Sequence, residues 1–279
     1  MGPLLTSTLL AQLLSAREAG EPTVGCSLDL GRSQTTVHLE PDTWSWSGER
    51  FPYPQQCKER TIYYWEDAAF HPIVRYTTSL IKLIPTQWGP PTFEIDGIKM
   101  LPTARVSPYA DAQRKVSLID PKGSRILDTC GGLGYFADCC LALKAAHIHS
   151  FEINPDVLWL RSLNPWSPDH RWKLTPDSAL TLVVADVNLQ IATLPTGSVD
   201  ATLHDPPRFG IAGELYSQRF YDQLARVLKR RGKLFHYVGT PNRLTTGRDV
   251  AAEVAIRLRR AGFSVSFVGD AILAKRTTV

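Results

Sequence analysis

The chain has 279 residues, 43% hydrophobic and 21% charged, which predicts one large or two ordinary folded domains and excludes the disordered, collagen-like and mucin-like classes. No run of about eighteen apolar residues is present to span a bilayer. Lys and Arg number 31 against 27 Asp and Glu, a net charge of +4 that permits a polyanionic partner without arguing for one; residues 1 to 105 carry −2 and residues 106 to 279 carry +6. Five cysteines, Cys26, Cys57, Cys130, Cys139 and Cys140, lack paired C-x-x-C spacing, so they read as reduced thiols and no metal site is expected. The apolar opening Leu4 to Leu14 has no cationic segment ahead of it, which reads against a signal peptide and toward a cytoplasmic chain. Met1-Gly2-Pro3-Leu4-Leu5-Thr6 formally fits an acylation pattern that short sequences often meet by chance.

Leu5, Leu9 and Leu13, joined by Leu10 and Leu14, repeat at helical spacing and predict an amphipathic helix stopped by Gly20. From Gly25 to Leu39 the period becomes two: Cys26, Leu28 and Leu30, then Thr35, Val37 and Leu39, predict two short strands turning at Gly31-Arg32. Trp44, Trp46, Tyr53, Tyr63, Tyr64, Trp65 and Trp88 concentrate aromatics here. Prolines at Pro85, Pro90, Pro91 and Pro102 flank a predicted strand at Phe93 to Ile98. Together these predict a small α+β domain over residues 1 to 105, which names no chemistry and is expected to supply part of a substrate wall.

From residue 106 to 279 apolar strands alternate with helical stretches, the pattern of a parallel sheet wrapped by helices. The strands read Arg125 to Asp128, His147 to Glu152, Leu180 to Ala185, Val199 to His204 and Lys233 to Val238. Phe263 to Val268 and Ala271 to Lys275 are joined by Gly269-Asp270 alone, and two residues close only an antiparallel hairpin. The fold class is therefore α/β: a Rossmann-like, mostly parallel sheet ending in an antiparallel strand.

Ile126-Leu127-Asp128-Thr129-Cys130-Gly131-Gly132-Leu133-Gly134-Tyr135 is a strand, an acid and a glycine-rich turn running into a helix predicted over Phe136 to Lys144. Such a turn lets backbone approach a ligand closely, and the helix start offers free N–H groups. Gly132 to Ala137 also satisfies G-x-G-x-x-A, with Glu152 twenty residues beyond Gly132, which is a dinucleotide signature. Asp128 argues against that reading, since its carboxylate would face a pyrophosphate, whereas a cationic sulfonium would accept it. Glu152, ending the second strand ahead of Ile153, is placed to accept both ribose hydroxyls of a nucleoside. Asp186, ending the third strand ahead of Val187, is placed to accept from an adenine amino group. At the end of the fourth strand, His204-Asp205-Pro206-Pro207-Arg208-Phe209 sets a carboxylate beside rigid carbonyls, which suits an amine. Phe209 could stack on a planar substrate and Arg208 could pair with an anion.

These residues resemble the class I S-adenosylmethionine-dependent methyltransferases, whose seven-stranded sheet ends in an antiparallel hairpin. The resemblance spans residues 106 to 279 and implies that Asp128, Cys130, Gly131, Gly132, Gly134, Tyr135, Glu152, Ile153, Asp186 and Val187 bind S-adenosylmethionine. It implies that Asp205, Pro206, Pro207, Arg208 and Phe209 hold the methyl acceptor. More narrowly, Gly97-Ile98-Lys99-Met100, Phe151 to Asn154 with Asn164-Pro165-Trp166, Asp205 to Arg208, and His236-Tyr237-Val238-Gly239 look like a group of predicted archaeal-type methyltransferases of unknown substrate. Amino-group methyltransferases carry an aromatic where this chain has Arg208. Uridine C5 methyltransferases carry Asp-Pro-Pro-Arg but need a cysteine nucleophile after the next strand, and here that strand runs into His236-Tyr237-Val238-Gly239-Thr240-Pro241.

Two basic runs remain, Arg226, Lys229, Arg230, Arg231 and Lys233, and then Arg257, Arg259 and Arg260. Nucleic-acid proteins neutralise phosphates with such clusters. Both runs are expected at helix ends on the sheet's amino-terminal edge, where cations are ordinary dipole partners, and that reading is preferred. His204, His236 and Tyr237, expected at strand ends flanking the cleft, are candidates for local roles, with a buried, satisfied histidine the commoner case. The resulting expectation is methyl transfer from S-adenosylmethionine to a nucleophilic acceptor, with nitrogen the favoured atom, in a nucleic acid, protein or small molecule. The alternatives are an aminopropyltransferase, an NAD-dependent enzyme or a cofactor-binding module without turnover.

Overall fold

The computed structural model describes residues 2–171, 178–239 and 249–277. Met1, which opens the acylation pattern, and Thr240-Pro241 lie outside the described residues. The chain packs as two compact units, Met1–Asp111 with Trp159–His170, and Ala112–Leu158 with Arg171–Val279. No helix among the described residues is long and apolar enough to cross a membrane.

The first unit opens with β1 (Leu4–Leu5) and α1 (Ser7–Glu18). Thr6 caps the helix by accepting the Leu9 N–H at 3.2 Å, which satisfies one of the amides a helix start leaves open. Leu9, Leu10 and Leu13 bury against Leu5, Cys26, Val37, Trp44 and Phe51 in one apolar cluster. β2 (Thr23–Cys26), β3 (Thr35–Leu39), β4 (Thr43–Trp46) and β5 (Glu49–Pro52) form an antiparallel meander. β6 (Tyr63–Glu66) pairs with β1 and with β7 (Ala69–Pro72), and β8 (Val74–Tyr76), β9 (Leu80–Ile84), β10 (Thr92–Ile95) and β11 (Ile98–Lys99) make a further sheet. The single strand expected at Phe93 to Ile98 is thus a hairpin: Asp96 and Gly97 adopt positive φ, and Ile95 pairs with Ile98. Asp96-Gly97 is the dipeptide a two-residue hairpin turn demands. The Trp159–His170 segment joins this unit through Trp166, whose indole N–H donates to the Leu30 carbonyl at 3.1 Å, and through the Arg32 guanidinium, which donates to the Pro165 carbonyl at 2.6 Å.

The second unit begins within α2 (Pro108–Ser117), at Ala112. Its strands are β12 (Arg125–Asp128), β13 (His147–Glu152), β14 (Leu180–Val184), β15 (Val199–His204), β16 (Leu228–Tyr237), β17 (Phe263–Val268) and β18 (Ala271–Arg276). Their spatial order is β14-β13-β12-β15-β16-β18-β17, with β18 antiparallel to both neighbours and the β14 to β16 pairs parallel. This is the Rossmann-like sheet with an antiparallel terminal strand. Val268 pairs directly with Ala271 across Gly269-Asp270, as a two-residue turn requires. Between the strands, in chain order, lie α3 (Tyr135–Ala142), α4 (Pro155–Ser162) and α5 (Pro168–Arg171), whose stretch Trp159–His170 belongs to the first unit, then α6 (Val187–Gln190), α7 (Gln218–Val227) and α8 (Val250–Arg260). One face of the sheet buries Leu127, Phe151, Leu234 and Ile272 with Phe220, Leu224, Val254 and Leu258 of α7 and α8.

Two local readings are corrected. The helix after the glycine turn stops at Ala142, because Leu143 caps it and Lys144 turns into the left-handed region at φ 59°. β16 begins at Leu228, five residues before the expected Lys233, so Lys229, Arg230 and Arg231 lie in a strand and only Arg226 ends a helix. The β15–β16 pairing jumps from Val199↔Leu228 to Ala201↔Lys233, so the basic residues occupy a bulge.

Candidate functional site

Open α/β sheets bind ligands beyond the carboxyl ends of their strands, where the strand order reverses. Here that reversal falls between β12 and β15, since the chain goes outward to β13 and β14 before returning. The glycine turn sits at this point and is stitched to both neighbours. Thr129 N–H donates to the Leu203 carbonyl of β15 at 3.1 Å, and Gly131 N–H to the Phe151 carbonyl of β13 at 2.7 Å. Gly132 (φ 50°) and Gly134 (φ 81°) occupy left-handed conformations, and Gly134 is the residue from which α3 starts.

Four acids stand on this edge. Asp128, 1% exposed, accepts the buried Ser150 hydroxyl at 2.7 Å. Glu152 accepts the Gly132 N–H at 2.9 Å and the Asn154 N–H at 2.8 Å, so it braces the glycine turn as well as ending β13. Ile153, beside it, is 62% exposed. Asp186 caps α6 by accepting the Asn188 N–H at 2.8 Å, while Val187 is buried in the core. Asp205 follows β15. Cys130 lies half-buried among these groups: burial raises its thiol pKa well above the ordinary value, the Glu152 charge raises it further, a Thr129 hydrogen bond opposes them, and Asp128 and Asp205 add to the rise. The thiol thus registers a negative potential to which three separate strand ends contribute. Tyr135 and Pro206 are buried, so their part is to fix the frame around that space.

The sequence reading missed Lys115. This α2 side chain is 3% exposed and its Nζ stands 2.9 Å from Asp205 Oδ2, with the Asp205 side chain 18% exposed. The ammonium also lies 4.3 Å from the centroid of the Tyr237 ring. After Asp205, Tyr216 donates its hydroxyl to the Pro207 carbonyl at 3.0 Å, and Phe209 meets Tyr216 edge-on at 5.5 Å between centroids. Phe209 is half-buried against the core and Arg208 is exposed.

His204 and His236 are the buried, satisfied case: both are fully buried, with ring centroids 4.4 Å apart. His204 Nε2 faces the Leu215 carbonyl at 3.1 Å and must donate to it, which leaves Nδ1 to accept from Thr129 Oγ1 at 2.7 Å. His236 has the opposite tautomer: Nδ1 donates to the Tyr237 carbonyl at 2.9 Å and Nε2 accepts the Tyr221 hydroxyl at 2.9 Å. Burial pushes the His204 pKa down to about 3, and burial with the neighbouring His204 carries His236 well below its ordinary value. Both rings are neutral struts that pin the ends of β15 and β16.

The carboxyl edge of a Rossmann-like sheet, with a glycine turn and several acids at its strand ends, defines this chain as an α/β protein with a candidate ligand site at that edge. No protein-family model matches it. It is 39% identical over 206 residues to the uncharacterized protein MJ1233 of Methanocaldococcus jannaschii, covering 74% of this chain and 69% of that protein, and it belongs to that protein's family. Among solved structures, a spermidine synthase in complex with the transition state analogue AdoDATO is 14% identical, with 74% of each chain covered and a TM-score of 0.55; the two share a fold. An S-adenosylmethionine-dependent methyltransferase of Mesorhizobium loti is 16% identical, covering 60% of this chain and 96% of that one, with a TM-score of 0.43.

Proposed function

We propose that this chain is an S-adenosylmethionine-dependent methyltransferase acting on a nitrogen nucleophile. The observation that carries the reading is the glycine turn at the β12–β15 reversal, with Asp128 just ahead of it and Glu152 bound to its Gly132 amide, two acids that give this place a negative potential. That potential favours a ligand with a positive centre and opposes a dinucleotide, whose pyrophosphate would meet like charge in a partly desolvated cleft. The donor set therefore fits S-adenosylmethionine, which when bound supplies a methyl group on a cationic sulfur.

Glu152 accepts the ribose hydroxyls, with the acceptor sites of its carboxylate that the Gly132 and Asn154 amides leave over. Asp186 accepts from the adenine amino group. Gly132 and Gly134 let the backbone approach the nucleoside. Asp205 would accept the N–H of the acceptor and so orient its lone pair, and the proton that the nitrogen sheds on methylation would pass to this carboxylate and on to water. Lys115 fixes that carboxylate. Positioning of this kind supplies most of the acceleration of an in-line transfer and requires no nucleophile on the protein.

A second reading, aminopropyl transfer from a decarboxylated relative of the same donor, is favoured by the fold shared with spermidine synthase. Against it stands Lys115, which places an ammonium within 2.9 Å of the acid that a cationic amine would need. Incubation with S-adenosylmethionine labelled in its methyl group, against total cell RNA, protein and metabolite fractions, tests the proposal. Label in one fraction, lost in Asp205→Ala, supports methyl transfer. Label in none, with turnover of the decarboxylated donor, supports the second reading.

A further inference from the structure

We propose that the amino-terminal edge of the same sheet carries a second site, a groove for the phosphodiester backbone of a nucleic acid, built from Arg230, Arg231, Lys275 and Arg276. These side chains, with Ser264 and Thr277, line one open concavity of about 350 Å³, and no acid lines it. Among the described residues Arg230, Arg231 and Lys275 make no ion pair, while Arg276 donates to the Leu228 carbonyl. Asp200, on β15 opposite the bulge, is occupied by Lys229 at 2.7 Å and by the Arg125 N–H at 2.9 Å.

The arrangement is specified by the chain and opposed by its own electrostatics. The β16 bulge holds Arg231 at φ 64°, a conformation that residues with a side chain adopt at a cost. Gly232 is obligatory beside it, because a Cβ there would stand 2.8 Å from the Lys229 carbonyl oxygen. Lys233 of β16 sits directly opposite Lys275 of β18, a cross-strand pair of like charges. Strain and repulsion gathered at one place, with Arg230 and Arg231 both exposed, mark a surface arranged for an anion.

The chemistry selects phosphodiester. Three of the four cations are guanidiniums, whose planar fork matches phosphate oxygens in pairs. The lining holds no aromatic or aliphatic side chain, so the groove reads backbone and neither stacks bases nor inserts into a lipid surface. The basic surface continues to the exposed Arg259 and Arg260 at the end of α8, which leads to Gly262, the partner of Thr277; this extension suits a polymer rather than a single small anion. The site lies at the opposite edge from the donor residues, so its occupancy is independent of the cofactor reading.

The test is fluorescence anisotropy of a labelled twenty-nucleotide single-stranded RNA of mixed sequence, without cofactor, from 50 to 300 mM salt. Wild type is expected to bind, with log Kd linear in log salt. The pair Arg230→Gln with Lys275→Gln is expected to weaken binding about tenfold or more and to lower the slope by about 1.4, or about 0.7 per lost contact. Arg230→Gln alone is expected to give half that change in slope. Unfolding by urea must match wild type for both. Absence of wild-type binding at 50 mM salt, equal affinity in both variants, or competition by phosphatidylserine vesicles that outranks unlabelled RNA would overturn the proposal.

Discussion

The Lys115–Asp205 pair provides the sharpest mutational test. At 2.9 Å and an effective dielectric near 20, the gross attraction is about 6 kcal/mol, most of it offset by the cost of taking two charges out of water. The exposures of 3% and 18% make the two ends unequal. Asp205→Asn removes the carboxylate beside an ammonium that is only 3% exposed, and stability should fall by about 3 to 5 kcal/mol, the range for breaking a buried ion pair from one side. Lys115→Met leaves a carboxylate that can rehydrate, and the loss should be about 1 to 3 kcal/mol, as for one charged hydrogen bond. The double variant should be less destabilised than the sum of the two by at least about 2 kcal/mol. Urea unfolding followed by tryptophan fluorescence reads all three. Methyl transfer separates roles further: Asp205→Asn should slow the chemical step by about two to four powers of ten with donor affinity nearly unchanged, and Lys115→Met should lower kcat by about ten- to a hundredfold through misplacement of Asp205. Additive destabilisations, within about 0.5 kcal/mol, would show that the pair is not coupled and that Lys115 does not position the acid.

Glu152→Ala should weaken S-adenosylmethionine binding by about 2 to 4 kcal/mol, as charged hydrogen bonds of about 1.5 to 3 kcal/mol each are lost; unchanged affinity by calorimetry in a folded variant would remove Glu152 from the site. Gly134→Ala forces a side chain into φ 81° and should cost about 1 to 2 kcal/mol in urea unfolding, with a Cβ-tolerant, fully stable variant contradicting the turn geometry. The depressed pKa values of His204 and His236 make the unfolded chain bind more protons than the folded one below about pH 6.5, so stability is full above that value and falls as pH drops, for His204 down to about 3. The expected slope is about 1.4 kcal/mol per pH unit for each histidine between pH 6 and 5, and a flat urea midpoint over that interval would refute the buried neutral pair.

The parallel strands were legible because each is a short apolar run bounded by an acid or a glycine: Arg125–Asp128, His147–Glu152 and Val199–His204 stand where the sequence predicts them. The first unit was less legible. Its hairpins, such as Thr43–Trp46 with Glu49–Pro52, mix aromatic, polar and charged residues, and the period-two signal is weak over four residues. The joining of Trp159–His170 to that unit rests on contacts more than a hundred residues apart, such as Trp166 to Leu30, which no local pattern encodes. Lys115 escaped notice because a lysine on a helix reads as solvated. The available signal was its place three residues after Ala112 and one before Val116, on the buried stripe of α2. The basic run was assigned to a helix end because a bulge has no period to detect; Gly232, where no side chain fits, was the one clue.

The central claim is that the carboxyl edge holds a nucleoside bearing a positive sulfur. Isothermal titration of the whole protein with S-adenosylmethionine, S-adenosylhomocysteine and NAD at up to millimolar concentration tests it most directly. The account predicts binding of the first two, tighter for the cationic donor because of the Asp128 and Glu152 carboxylates, and weakening of both by about 2 to 4 kcal/mol in Glu152→Ala. Binding of NAD with no heat from either sulfur nucleoside would contradict it.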